Sequence, residues 1–132
     1  MNLRITLLAL TLSFAACSTS NHQRLSSREY FSQFSDLAQA LRFYPALLIS
    51  GTGNQTRVIL RKNASMQNQE PLYVVDGMPI GNNYARANHL VNMAEVVDIR
   101  LLSHTHELTS YGVNGASGVI EIKTMKKEMA SD

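Results

Sequence analysis

The sequence is poor in cysteine, tryptophan, proline and charge. Cys17 is the only cysteine, so no disulfide can form within the chain. Tryptophan is absent and there are three prolines. Asp, Glu, Lys and Arg make up only 17% of the residues, with a formal net charge of +2. That charge is too small to argue for nucleic acid, and the basic residues are scattered apart from the pairs Arg61-Lys62 and Lys126-Lys127. No internal repeat is present. The one long apolar run, residues 5–16, falls short of the roughly 20 residues a bilayer span requires. What is present is a hydrophobic content of 45% over 132 residues, which suits one folded domain rather than a disordered chain.

The amino-terminal segment reads as a targeting signal. Arg4 supplies the positive charge, residues 5–16 the apolar stretch, and Phe14-Ala15-Ala16-Cys17 resembles a bacterial lipobox. The expectation is a signal peptide over residues 1–16 and lipid attachment at Cys17. Several acyl chains, at about 0.8 kcal/mol per buried CH₂, make a lasting anchor. An ordinary signal peptide or a buried free thiol is the alternative. Residues 17–27 read as a polar tether without an Asp after Cys17, which by resemblance to other lipoproteins favours the outer membrane, on its periplasmic side.

Beyond the tether, Ser26-Ser27-Arg28-Glu29 fits a capping box, and Tyr30, Phe34, Leu37 and Leu41 recur at helical spacing. One amphipathic helix of about sixteen residues is expected, ending near Phe43 because Pro45 disfavours helix at Tyr44. Strands are expected at 45–50, 56–61, 72–75, 97–101 and 118–124, with loops at 63–70 and 81–88. Asp76-Gly77 reads as a tight turn, and Pro79 confines any following strand to an edge. Asn92 caps a single turn, and 106–111 form a short helix ended by Gly112. Val97, Ile99 and Leu101 share one strand face; Ile120 and Ile122 share another. The fold class is therefore α+β, a small mixed sheet with helices on one side.

Two stretches carry most of the specific information: Glu70-Pro71-Leu72-Tyr73-Val74-Val75-Asp76-Gly77-Met78-Pro79-Ile80 and Ser110-Tyr111-Gly112-Val113-Asn114-Gly115-Ala116-Ser117-Gly118-Val119-Ile120-Glu121-Ile122-Lys123-Thr124. Together they resemble the plug domain of TonB-dependent outer-membrane receptors, most like the starch-utilisation branch. The resemblance runs over residues 30–127, with the plug-like domain at 28–127 and a tail at 128–132. It implies that Pro71, Tyr73, Asp76, Gly77, Pro79, Tyr111, Gly112, Gly115 and Gly118 are structural motif positions. The chain departs from the family at Ser103-His104-Thr105-His106-Glu107 and at Arg61-Lys62-Asn63. No TonB box is recognisable in residues 18–27, and the chain reaches Asp132 about where a receptor barrel would begin. The expectation is a plug-like domain that does not transport by itself.

Candidate chemical sites are few. His104 and His106 lie at i and i+2 beside Glu107, a spacing that puts two imidazoles on one face of an extended segment. A closed metal site needs about four ligands, so the default is structural or solvent-exposed histidines and no metal. Asp76 beside Gly77 reads as a turn former rather than a catalytic carboxylate. No nucleophile is set beside a base. The Gly-rich segment 112–118 precedes a strand, so it lacks the helix N-terminus of a phosphate loop. The sequons Asn54-Gln55-Thr56 and Asn63-Ala64-Ser65 carry little weight in a bacterial lipoprotein. Arg57, Arg61, Lys62 and Arg100 are a candidate basic face for a partner, with a solvated face as the default.

These readings point to a non-enzymatic, lipid-anchored plug-like domain at the outer membrane. Its expected partners are the membrane, through Cys17, and an outer-membrane β-barrel or periplasmic protein; no cofactor and no nucleic acid are expected. The alternative is a small-ligand or metal-binding periplasmic lipoprotein using loops 63–70 and 81–89. A receptor remnant without a function of its own is the bland reading.

Overall fold

The computed structural model describes residues 26–64 and 69–126. Cys17, the tether before Ser26 and the tail at 128–132 lie outside the described residues. The elements run α1 (Ser27–Phe31), α2 (Leu37–Leu41), β1 (Leu47–Ser50), β2 (Arg57–Leu60), β3 (Leu72–Val75), β4 (Met78–Gly81), α3 (Tyr84–Leu90), β5 (Val96–Leu102), α4 (Thr105–Leu108) and β6 (Val119–Thr124). Short 3₁₀ segments join several of them, including Met93–Glu95 and Thr109–Gly115. The fold is α+β, as expected, but with two sheets rather than one. β1 and β2 form an antiparallel pair, and a four-stranded mixed sheet has the order β4-β3-β6-β5.

The expected single long helix is two short ones. Ser26 and Glu29 form the reciprocal capping box that starts α1. The ladder then fails because polar side chains between 32 and 36 compete for backbone groups. Ser32 Oγ and Gln33 Nε2 both donate to the Glu29 carbonyl. Asp36 is extended (φ −145°, ψ 163°) and its carboxylate accepts from the Gln39 N–H at 2.9 Å. Two further N–H groups at the start of α2 are taken by α3. Leu37 N–H donates to Asn88 Oδ1 and Ala38 N–H to the Tyr84 hydroxyl, at 2.9 and 3.0 Å. The break turns Leu37 and Leu41 into the core, both 0% exposed, while Tyr30 stays at the surface.

The segment expected as a loop at 81–88 mostly becomes α3. Asn83 caps it by accepting from the Arg86 N–H, and Tyr84, Ala87 and Val91, spaced i, i+3, i+7, are all buried. The strict alternation expected for β5 also fails. Val96 pairs with Thr124 and Asp98 with Lys123, so Val97 is an extra residue at a bulge. Val96 and Ile99 are therefore the buried residues, not Val97 and Ile99. The Asn92 cap, the brief turn after it and the edge position of the Pro79 strand are as expected.

One face of the larger sheet, with Tyr73, Ile99, Ile120 and Ile122, packs with α1, α2, α3 and the β1–β2 pair in the main core. The other face carries Leu72, Val74 and Val119, with Leu108 of α4 and Tyr111 packed on it. Helices on one side thus describes α1 to α3, while α4 closes the opposite face. Among the described residues, no helix is long and apolar enough to cross a membrane.

Candidate functional site

The two informative stretches are neighbours at the centre of the sheet. β3 and β6 run parallel, with Leu72 opposite Val119, Tyr73 opposite Ile120 and Val75 opposite Ile122. The Leu72 N–H donates to the Gly118 carbonyl and the Asp76 N–H to the Ile122 carbonyl, both at 2.9 Å, so the pairing is bonded at each end. Asp76 and Gly77 have φ of 52° and 83°, the left-handed pair that a two-residue hairpin turn needs. The Asp76 carboxylate accepts from the Thr124 N–H at 2.7 Å and from Thr124 Oγ1 at 2.6 Å. Asp76 is thus a clamp between the β3–β4 turn and the end of β6.

The Gly-rich segment caps the other end of these strands. Gly118 has φ 104°, a conformation that strains any residue with a Cβ, and a Cβ there would stand 2.5 Å from Cδ2 of the buried Leu60, which would have to shift. Gly112 (φ 58°, ψ −149°) interrupts the helical turns between Thr109 and Gly115, where the sequence placed a helix end. The Tyr111 hydroxyl donates to Glu121 Oε1. That bond, with partial burial, pushes the Tyr111 phenol up to about 12. Pro71 is fully buried where β3 begins, and Pro79 sits in the edge strand β4. Tyr73 is fully buried, and burial raises its phenol strongly. Among the described residues its hydroxyl has no hydrogen-bond partner.

Beside the Gly-rich segment lies a cleft of 490 Å³ lined by Gln69, Glu70, Asn82, Val113, Asn114, Ala116 and Ser117. Its wall is a hydrogen-bonded amide and hydroxyl network. Asn82 Nδ2 donates to the Glu70 and Asn114 carbonyls at 3.1 and 2.9 Å. Ser117 Oγ donates to Gln69 Oε1 at 2.7 Å, and Asn63 Nδ2 to the Ser117 carbonyl at 3.0 Å. The Glu70 carboxylate is fixed by the Tyr84 N–H at 3.1 Å and lies 3.8 Å from Arg57 Nε. Sequence reasoning pointed at the two loops, one of which holds Asn82, but did not join Asn114 and Ser117 to them. Their signal was a set of amides and a hydroxyl flanking the Pro and Gly turns.

The four cations are spread over both sheets. Arg57 begins β2 and pairs with Glu70; Arg100 lies in β5 and pairs with Asp98 at 3.0 Å. Arg61 and Lys62 follow β2 and share a groove of 380 Å³ with Ala46, Leu60 and Ser103. Arg61 Nε donates to the Pro45 carbonyl at 3.1 Å, and Lys62 Nζ to the Ser103 carbonyl. Arg61 and Lys62 line a common groove, away from Arg57 beside Glu70 and Arg100 beside Asp98. His104 and His106 are exposed at the start of α4 with stacked rings 5.9 Å apart, not in an extended segment. Among the described residues, no three His, Cys, Asp or Glu side chains converge on a point where a cation could sit.

No family model matches the chain. Over 62 residues it is 32% identical to the TonB-dependent receptor P26 of Formosa agariphila, a match over 47% of this chain and 6% of that receptor. The chain thus spans a small fraction of the relative's length, and the similarity is to a TonB-dependent receptor over that part alone.

Proposed function

We propose that the chain is a non-enzymatic, lipid-anchored plug-like domain at the outer membrane, facing the periplasm, which acts as a protein-contact component of TonB-dependent transport. One observation carries the reading. The two motif stretches are paired in parallel at the sheet centre, in a chain with a 62-residue similarity to a TonB-dependent receptor. The residues that drew attention as chemical candidates fit structural work. Asp76 has both oxygens engaged by Thr124, and the Gly-rich segment packs against Leu60. The groove at Arg61 and Lys62 is the surface offered to a polar partner, since cations over an apolar floor suit a carboxylate-bearing protein face. Fold alone does not give this function, so a partner must be found. A tagged form expressed with its lipid anchor and solubilised from membranes should bring down a β-barrel protein. Recovery of no barrel protein across several detergents contradicts the reading.

A second reading rests on the 490 Å³ cleft, whose amides, hydroxyl and fixed carboxylate suit a small polar ligand. It makes the chain a ligand-binding lipoprotein. Thermal-shift screening with sugars and metal ions separates the two. A saturable shift that Asn82→Ala abolishes favours the cleft, and a flat response removes it.

A further inference from the structure

Three of the chain's four phenylalanines and one of its five tyrosines gather at one place. Tyr30 packs edge-on against Phe31 and Phe34, each at 5.3 Å between ring centroids. Phe43, beyond α2, lies 5.4 Å from Phe34 and 6.3 Å from Tyr30. Phe31 faces the core, but Phe43 is 65% exposed and Tyr30 38%. A lone exposed aromatic needs no explanation. An array of mutually fixed rings that turns its outer members to water marks a contact surface. Among the described residues, the other large exposed apolar side chains, Met78, Leu90 and Val113, are not aromatic and come from three separate segments.

The position of the array in the chain selects its occupant. Cys17 stands nine residues before Ser26, where the described fold begins. An extended chain covers at most about 3.5 Å per residue, so α1, ten residues after Cys17, starts within about 35 Å of a bilayer holding an acyl chain on Cys17. Tyrosine and phenylalanine suit the headgroup boundary, where rings are buried and a phenolic hydroxyl stays wet. Arg28 and Arg42, both exposed, flank the array in sequence and suit anionic headgroups; of the acids beside it, Glu29 is held by the Ser26 N–H and hydroxyl and Asp36 by the Gln39 N–H. We propose that Tyr30, Phe34 and Phe43 form a bilayer-seating surface that lies on the anchoring membrane and fixes the orientation of the domain. This rests on the proposed lipid at Cys17.

The test uses the full chain, recovered from membranes and reconstituted into phosphatidylethanolamine–phosphatidylglycerol vesicles with brominated acyl chains. The chain has no tryptophan, so Phe43→Trp installs a single reporter. Its emission should shift to the blue, be quenched by the bromolipid and resist iodide. A Val113→Trp reporter, at a position 91% exposed, should show the opposite. If the chain floats with vesicles but the Phe43→Trp reporter remains open to iodide, the seating surface is overturned and the anchor stands. A reporter closed to both quenchers places another protein surface, such as a second copy, on the array and also overturns it. An intact mass without acyl chains removes the anchor, and the seating proposal falls with it.

Discussion

Tyr73 and Tyr84 are adjacent buried rings, 6.5 Å apart, with opposite expectations. The Tyr73 hydroxyl is buried with no partner among the described residues, whereas the Tyr84 hydroxyl accepts the Ala38 N–H at the start of α2. Tyr73→Phe should therefore leave stability unchanged or raise it, because the buried hydroxyl gives no bond in return for its lost hydration. Tyr84→Phe should cost about 1–3 kcal/mol by orphaning a buried N–H. At about 4–8 °C per kcal/mol for a domain of this size, thermal melts resolve the contrast. Asp76 separates in a similar way. Asp76→Gly keeps the positive φ and loses the carboxylate bonds, including those to Thr124. Asp76→Ala loses both and should melt lower than Asp76→Gly, by roughly 1 kcal/mol of backbone strain. Tyr111 gives a pH expectation. Its phenol lies at about 12 in the fold, held neutral first by the Glu121 bond, against an ordinary value of 10.0. The raised value means the fold favours the protonated phenol. That contribution is complete below pH 10 and is lost as pH rises from about 10 to about 12. Ultraviolet titration of phenolate should move one tyrosine toward 10 in Glu121→Gln; an unmoved curve contradicts the assignment.

Among the elements, β3, the Asp-Gly turn and β6 were legible because their local signals and their tertiary surroundings agree. Leu72 to Val75 is a short apolar run closed by a turn dipeptide, and Ile120 and Ile122 alternate with Glu121 and Lys123. The helices were less legible. Apolar residues at helical spacing run through Tyr30, Phe34, Leu37 and Leu41, yet the chain breaks there. The Asp36 cap and the Ser32 and Gln33 side chains outcompete the ladder, and α3 supplies acceptors across the core. Those acceptors, Asn88 and Tyr84, lie about fifty residues away, so periodicity gives no notice of them. α3 itself was hidden by its asparagines, although Asn83 is its cap and Tyr84, Ala87 and Val91 are its stripe. The cap logic is testable. Asp36→Ala should destabilise the domain by about 1 kcal/mol, and Asp36→Asn by less, in urea melts. Equal and negligible effects would mean that α2 is held by packing alone.

At the scale of the whole molecule, the mixed sheet brings together two stretches that periodicity could not pair. The parallel β3–β6 register joins Leu72 to Val119, and one strand choice puts the Gly-rich segment, the amide-lined cleft and the Asp76 clamp around one strand pair. The fold class was readable from the order and length of the elements. The cleft was not, because its walls come from Gln69, Asn82 and Asn114, which meet only once β3, β4 and the Gly-rich turn are assembled. The groove at Arg61 and Lys62 is likewise a product of assembly, since Lys62 reaches the Ser103 carbonyl past the end of β5. Docking on a β-barrel protein through that groove is the decisive matter. A photoreactive side chain placed at Lys62 in cells, irradiated before membranes are solubilised, should crosslink the chain to a β-barrel outer-membrane protein. Irradiation that yields no such product, with the chain expressed and membrane-bound, contradicts the proposed docking.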